Sequence, residues 1–276
     1  MIKAILLDFN GVVINDEPVQ MRAYTEVLKA DGIELTEDDY FSSLGMDDRT
    51  FVVAAFERAG KKVDEARVSE IVAEKSAKWK EMVTSEMPLF DGIKDFVEKM
   101  AVEFELGIVS MARRHEIEYV LETCGMRHHF STIVSSDDVV KCKPDPECFR
   151  IGFRQIDRIR TDQGHLPMTH KECLVIEDSP PGVVAARNAD LPVLGVTNTV
   201  SADALRNAGA SAVAEIHAIG CLHRSGAYLY RSCCDVELYI LTRRSRRSDQ
   251  LWLNILFRGM PPKATFWPPP LTSARA

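Results

Sequence analysis

AILLDFNG, residues 4–11, carries four apolar residues straight into an aspartate, an asparagine and a glycine. An apolar run this short, with no alternation, reads as a strand buried on both faces, the kind that a parallel sheet requires. ELGIVS (105–110), STIVSS (131–136) and CLVIED (173–178) have the same form. Each leads into residues suited to phosphate chemistry: Asp8 after the first, Ser110 at the end of the second, Lys143 in VVKCKP beyond the third, and Glu177 with Asp178 at the end of the fourth. An open parallel sheet places its ligand at the carboxyl ends of its strands. Residues far apart in the chain are therefore expected to meet at one edge.

Between these runs lie segments with apolar residues at three- and four-residue spacing: IKDFVEKMAV (93–102), HEIEYVLETCG (115–125), PECFRIGFRQI (146–156) and PGVVAARNAD (181–190), with PVLGVT (192–197) as a last strand. Such alternation predicts a parallel α/β sheet with right-handed crossovers. Helical spacing also fills the stretch from Glu17 to about Glu86, after the first strand and before the second. It is an insertion expected to sit over the strand ends like a lid. The expected organisation is a Rossmann-like core (1–14 and 87–218), a helical cap (15–86) and an atypical, poorly ordered basic tail (219–276). DRIRTDQGHLPMTHK (157–171) reads as a long loop, and Pro181 suits the first position of the helix after SPPG.

Composition narrows the function classes. With 46% hydrophobic and 27% charged residues, the 276-residue chain has the make-up of a soluble globular protein with a sizeable core. No apolar stretch approaches the ~20 residues of a membrane helix, and the N-terminus lacks a signal-peptide pattern. A cytoplasmic, monomeric enzyme with no membrane or nucleic-acid partner is the expectation. Residues 221–276 hold nine Lys and Arg against three Asp and Glu, so the upstream residues carry −13 of the total −7. An acidic body argues against nucleic acid as the ligand of the main fold. VELYILT (236–242) is the single strand-like run read in the tail, and TRRSRR (242–247) reads as a solvated charge cluster. The seven cysteines show neither metal-pair spacing nor a secretory context, so reduced thiols are expected, with Cys142 as a small filler.

Asp8 can serve as a nucleophile toward phosphorus or simply as a turn cap. Gly11 just beyond it lets backbone approach a bound anion. Ser110 and the amides that follow it, from Met111 onward, precede a helix and suit phosphate oxygens, or a helix cap. Glu177 and Asp178 form a carboxylate pair; magnesium prefers one or two carboxylates plus water and phosphate oxygens. Asp8, the backbone carbonyl of Asn10 and Asp178 could supply that set.

Taken together, LLDFNGVVINDEP, SMARRHEIEYVLE, KPDPECF and VIEDSPPGVVAARNAD resemble the four motifs of the haloacid dehalogenase superfamily, and the helical insertion is most similar to its beta-phosphoglucomutase-like branch of small-molecule phosphatases. The resemblance covers residues 2 to about 217. It implies that Asp8 is the nucleophile, that Ser110 and Lys143 hold the transferring phosphoryl group, and that Asp178, assisted by Glu177, binds Mg²⁺. It also implies a mobile cap in which Arg49, in LGMDDRTF, faces the substrate, a small phosphorylated metabolite such as a sugar phosphate.

One position departs from the pattern. The family usually has an aspartate two residues after the nucleophile, as general acid and then general base; here Asn10 stands there. Losing such help costs about 10²–10⁴-fold in rate. The expected activity is a slowed, magnesium-dependent phosphatase acting through a phosphoaspartate. The alternatives are a silent phospho-ligand binding regulator of the same fold and a phosphosugar mutase.

Overall fold

The computed structural model describes residues 1–214 and three later strands. Two compact units divide the chain, Met1–Cys221 and Leu222–Ala276. In the first, six strands form a parallel sheet: β1 (Ala4–Leu7), β2 (Glu105–Val109), β3 (Phe130–Val134), β4 (Cys173–Glu177), β5 (Val193–Val196) and β6 (Ala212–Ala214). Their order is β3-β2-β1-β4-β5-β6. All four residues of β1 are buried, because the strand is central and both sheet faces are covered by helices. The winding reverses between β1 and β4, which is where an open sheet leaves a crevice for a ligand. Leu7 pairs with Ile108 on one side and Ile176 on the other. One residue further, Asp8 lies level with Val109 and Glu177.

Four helices follow β1 before the chain returns to the sheet: α1 (Glu17–Leu28), α2 (Glu37–Phe41), α3 (Asp48–Arg58) and α4 (Glu65–Ser85). Each of the last three starts at a side-chain cap: Thr36 accepts from the Asp39 amide, Asp47 from that of Thr50 and Asp64 from that of Arg67. Their apolar stripes close on a core of Tyr24, Val27, Leu28, Phe51, Val52, Phe56, Ile71 and Val72, distinct from the core between sheet and helices. The sheet is flanked by α5 (Ile93–Glu103), α6 (Arg114–Thr123), α7 (Glu147–Asp162), α8 (Pro180–Asn188) and α9 (Ala202–Ala208). The α/β architecture with an inserted helical block is the one expected.

Three local expectations are corrected. The loop expected at 157–171 begins only after Asp162, because the stripe Phe149, Phe153, Ile156 continues at helical spacing and carries its polar neighbours outward. Pro180, not Pro181, is the first residue of α8, with Ser179 as the cap that accepts from the Gly182 amide. The tail holds three strands instead of one: Ala227–Arg231, Glu237–Arg244 and Leu251–Arg258, paired as an antiparallel sheet in that order. The reading of 219–276 as poorly ordered otherwise falls on residues outside those described, as does the second half of the TRRSRR cluster, residues 245–247. No helix among the described residues is long and apolar enough to cross a membrane.

Candidate active site

At the carboxyl edge of the sheet, Lys143 Nζ lies 2.9 Å from Asp8 Oδ1 and 2.7 Å from Glu177 Oε1, and it also donates to the Val109 carbonyl at 3.3 Å. All three side chains are buried. Burial works against the Lys143 charge, but the two carboxylates outweigh it and hold the ammonium protonated well above the usual lysine range. Burial pushes the Asp8 carboxyl up to about 6, with Lys143 pulling the other way. Asp8 is thus ionised at neutral pH while poorly solvated, which suits a nucleophile.

Asp8, Glu177 and Asp178 each present an oxygen within 4.8 Å of the others. Their roles separate on inspection of partners. Glu177 has both oxygens engaged: Oε1 takes Lys143, and Oε2 accepts from the Asp178 and Ser179 amides at 2.9 and 3.0 Å and from the Ser179 hydroxyl at 2.9 Å. It therefore orients the lysine and the start of α8. Asp178 accepts from the Thr199 hydroxyl. Its carboxyl is raised by burial first, then by the charges of Glu177 and Asp8. Gly11, at φ +73°, is essential to this packing, because a Cβ there would lie 1.8 Å from Asp178 Oδ2. Two crowded carboxylates, Asp8 and Asp178, with Lys143 committed to Asp8 and Glu177, fit a divalent cation between them.

Ser110 follows β2, and its hydroxyl accepts from the Ala112 amide at 3.1 Å and donates to Asn10 Oδ1 at 3.3 Å. Ser110, Met111 and Ala112 line the same cavity as Asp8, Lys143 and Asp178. The cavity encloses about 90 Å³. Its other wall comes from the helical insertion, including Glu17, Gln20, Tyr40, Asp48, Phe51 and Lys75. Gly45, at φ +85°, lets the insertion touch the core: a Cβ would lie 2.8 Å from Pro181 and 3.3 Å from Lys143 Cβ.

Of the residues expected from sequence, Asp8, Asn10, Ser110, Met111, Lys143 and Asp178 come together at the cavity, with Glu177 directly behind Lys143. Arg49 does not: it is exposed near the start of α3, ion-paired with Glu65 and hydrogen-bonded to Ser69 at 3.3 Å. Cys142 is packed beside Thr50 with its thiol pushed up by burial, in keeping with a filler. Sequence reasoning missed Asp16, Asp48, Lys75 and Glu116. The signal available for Lys75 and Glu116 was their place on the apolar faces of otherwise amphipathic helices, where a charge requires a partner.

The fold and site define a hydrolase of the haloacid dehalogenase type, and the comparisons agree. The model of the haloacid dehalogenase-like hydrolase family matches residues 5–196. The chain belongs to that family. It is similar to the validoxylamine A 7'-phosphate phosphatase of Streptomyces hygroscopicus subsp. limoneus, 28% identical over 75% of this chain and 92% of that protein. It is likewise similar to the phosphorylated carbohydrates phosphatase of Thermotoga maritima, 25% identical over 76% of this chain and 93% of that one. Similarity to the chloroplastic protein SUPPRESSOR OF QUENCHING 1 of Arabidopsis thaliana, at 29% identity over 77% of this chain, spans only 19% of that much longer protein. Among solved structures, a beta-phosphoglucomutase from Clostridium difficile superposes with a TM-score of 0.68 at 20% identity, over 78% of this chain and 91% of that one. CbbY from Rhodobacter sphaeroides, in complex with phosphate, gives 0.66 at 21% over 77% and 93%.

Proposed function

We propose that this chain is a phosphatase that hydrolyses phosphate monoesters of small metabolites through a phosphoaspartate on Asp8, and that it requires Mg²⁺. The observation that carries the reading is the buried cluster in which Asp8 lies 2.9 Å from Lys143 with Asp178 within 4.8 Å. A relative named for phosphorylated carbohydrates, and a structural neighbour holding phosphate, support the substrate class.

In the proposed sequence, Lys143 and the Ser110 hydroxyl orient the phosphoryl oxygens, with the amides after Ser110 completing the cradle. Asp8 attacks phosphorus as the bond to the leaving oxygen breaks, forming an acyl phosphate and releasing an alkoxide that takes its proton from solvent water. Water then attacks that phosphorus, returning Asp8 as a carboxylate and releasing inorganic phosphate. Asp8 and Asp178 would hold magnesium, together with the carbonyl of Asn10; when bound, the ion neutralises charge on the phosphoryl oxygens. Glu177 positions Lys143. The helical insertion covers the site while Asp8 attacks, and the acyl phosphate is hydrolysed once water is admitted.

Asn10 cannot give the leaving oxygen a proton, nor take one from water, at neutral pH. Good leaving groups are therefore favoured and both steps are slow. A second reading, a phospho-ligand binding regulator, draws on the same residue, since the Asn10 amide is already committed to Asp16 at 2.9 Å. Release of p-nitrophenol from p-nitrophenyl phosphate with Mg²⁺ separates the readings. Wild type above an Asp8→Asn control supports the phosphatase; equal background rates support the regulator.

A further inference from the structure

The wall of the cavity facing Asp8 carries a second buried charge cluster, which the proposed chemistry does not use. Lys75, on α4, is 1% exposed, and its Nζ lies 2.9 Å from Asp48 Oδ1, 3.6 Å from Glu116 Oε1 and 5.2 Å from the centre of the Tyr24 ring. The Tyr24 hydroxyl donates to Asp48 Oδ1 at 2.5 Å and the Ser76 hydroxyl to Glu116 Oε1 at 2.8 Å. Partners are thus concentrated on one oxygen of each carboxylate. The other oxygens, Asp48 Oδ2 and Glu116 Oε2, are buried without a hydrogen-bond partner, and so is Gln20 Oε1. Gln20 is 7% exposed and Glu116 1%. All three residues line the cavity.

A buried polar atom left without a partner costs about 1–3 kcal/mol, more when charged. Three acceptors on one cavity wall therefore call for a ligand that donates. The charge balance narrows the donor. Lys75 alone faces two carboxylates, and the only other cation lining the cavity among the described residues, Lys143, is held by Asp8 and Glu177. Glu17 lies on the same wall, so three carboxylates share Lys75 and at least one negative charge is left without a counter-charge. A hydroxyl supplies one donor and no charge; a protonated amine supplies three donors and the missing positive charge. A second phosphate group would meet two carboxylates and no free cation.

We infer that Gln20, Asp48 and Glu116 form a recognition site for a protonated amine on the alcohol part of the substrate, so that the preferred substrates are phosphate monoesters of amine-bearing polyols and sugar bisphosphates are rejected. This rests on the phosphatase reading for the orientation of the ligand, with its phosphate at Asp8. It also sets the site apart from that of a mutase, whose sugar bisphosphate intermediate needs cations at both ends.

The test is calorimetric titration of the full chain with Mg²⁺, using glucosamine 6-phosphate, glucose 6-phosphate and glucose 1,6-bisphosphate, with phosphate release followed in the same mixtures. The amino sugar is expected to bind at least about tenfold tighter than glucose 6-phosphate, and the bisphosphate no tighter than the latter. Glu116→Gln is expected to reduce the amine preference below about threefold by removing the charge while keeping the shape. Asp48→Asn provides the same test should Glu116→Gln fail to fold. Equal affinity for the two monophosphates, tighter binding of the bisphosphate, binding of none of them, or a preference unchanged in both variants would overturn the inference. Amine-selective binding without phosphate release would leave it standing and overturn the phosphatase reading alone.

Discussion

The side-chain amide of Asn10 donates to both carboxylate oxygens of Asp16, at 2.9 and 3.1 Å, and Asp16 is 0% exposed. Asp16 also accepts from Trp79 Nε1 at 2.7 Å and Gln20 Nε2 at 2.9 Å. Asn10 is thus the neutral donor that a buried carboxylate requires. Asp16 itself is held above the usual carboxylate range by burial, against the pull of these hydrogen bonds. The asparagine at position 10 is matched by its surroundings.

Installing an acid at that position should accordingly have two effects. Asn10→Asp supplies the missing acid–base group and is expected to raise turnover by about 10²-fold or more. It also sets a half-buried carboxylate against the buried Asp16, costing about 1–3 kcal/mol of stability. Adding Asp16→Asn exchanges the partners and should restore the stability while keeping the rate. Denaturant titrations of the single and double variants check the coupling, expected at about 1 kcal/mol or more; a double variant no more stable than Asn10→Asp would contradict it.

Removing Lys143 should be costly even without substrate. Lys143→Met leaves Asp8 and Glu177 buried without their shared cation. The expected loss is about 3–5 kcal/mol, seen as a lower denaturation midpoint, alongside loss of phosphate release.

Magnesium should stabilise the protein by mass action. At a hundred times its dissociation constant the gain is about 2.7 kcal/mol. Asp178→Asn should weaken the effect, as should Gly11→Ala, whose Cβ occupies space now held by Asp178 Oδ2. A melting temperature indifferent to Mg²⁺ in wild type would contradict the assignment of the ion to Asp8 and Asp178.

Glu17 gives a pH signature. Burial, then the charge of Asp16, pushes its carboxyl from 4.5 up to about 7, against the hydrogen bond from Tyr40 and the charge of Lys75, while Asp8 adds to the rise. The folded protein therefore holds this proton more tightly than the unfolded chain, so the contribution to stability falls as pH rises from about 4.5 to 7. Glu17→Gln should match wild type near pH 4 and exceed it by about 1–3 kcal/mol at pH 8, measured in chelator by denaturant titration.

The parts of this protein legible in its sequence are those set by strand period and strand ends. Residues 4–8, 105–110 and 173–178 are short, apolar and terminated by functional groups, so the sheet and the edge where these groups meet could be placed without coordinates. What escaped reading depends on pairings between distant segments. Nothing near Lys75 in the chain indicates that Asp48 and Glu116 share it, and nothing near Asn10 shows that Trp79 helps hold the carboxylate it faces. Arg49 was placed by its motif, but Glu65, on the next helix, holds it at the surface. In the tail, AYLYR and LWLNILFR alternate too weakly to read as strands until Glu237–Arg244 is found between them.

The most direct measurement is to quench the protein during turnover of p-nitrophenyl phosphate with Mg²⁺ and to map the phosphoryl group by peptide mass. Without a general base at position 10, hydrolysis is slow and a phosphoryl adduct should accumulate on the peptide containing Asp8, following a burst of p-nitrophenol and absent from Asp8→Asn. Turnover that continues undiminished in Asp8→Asn, or an adduct on any other residue, would contradict the nucleophile on which the mechanism rests.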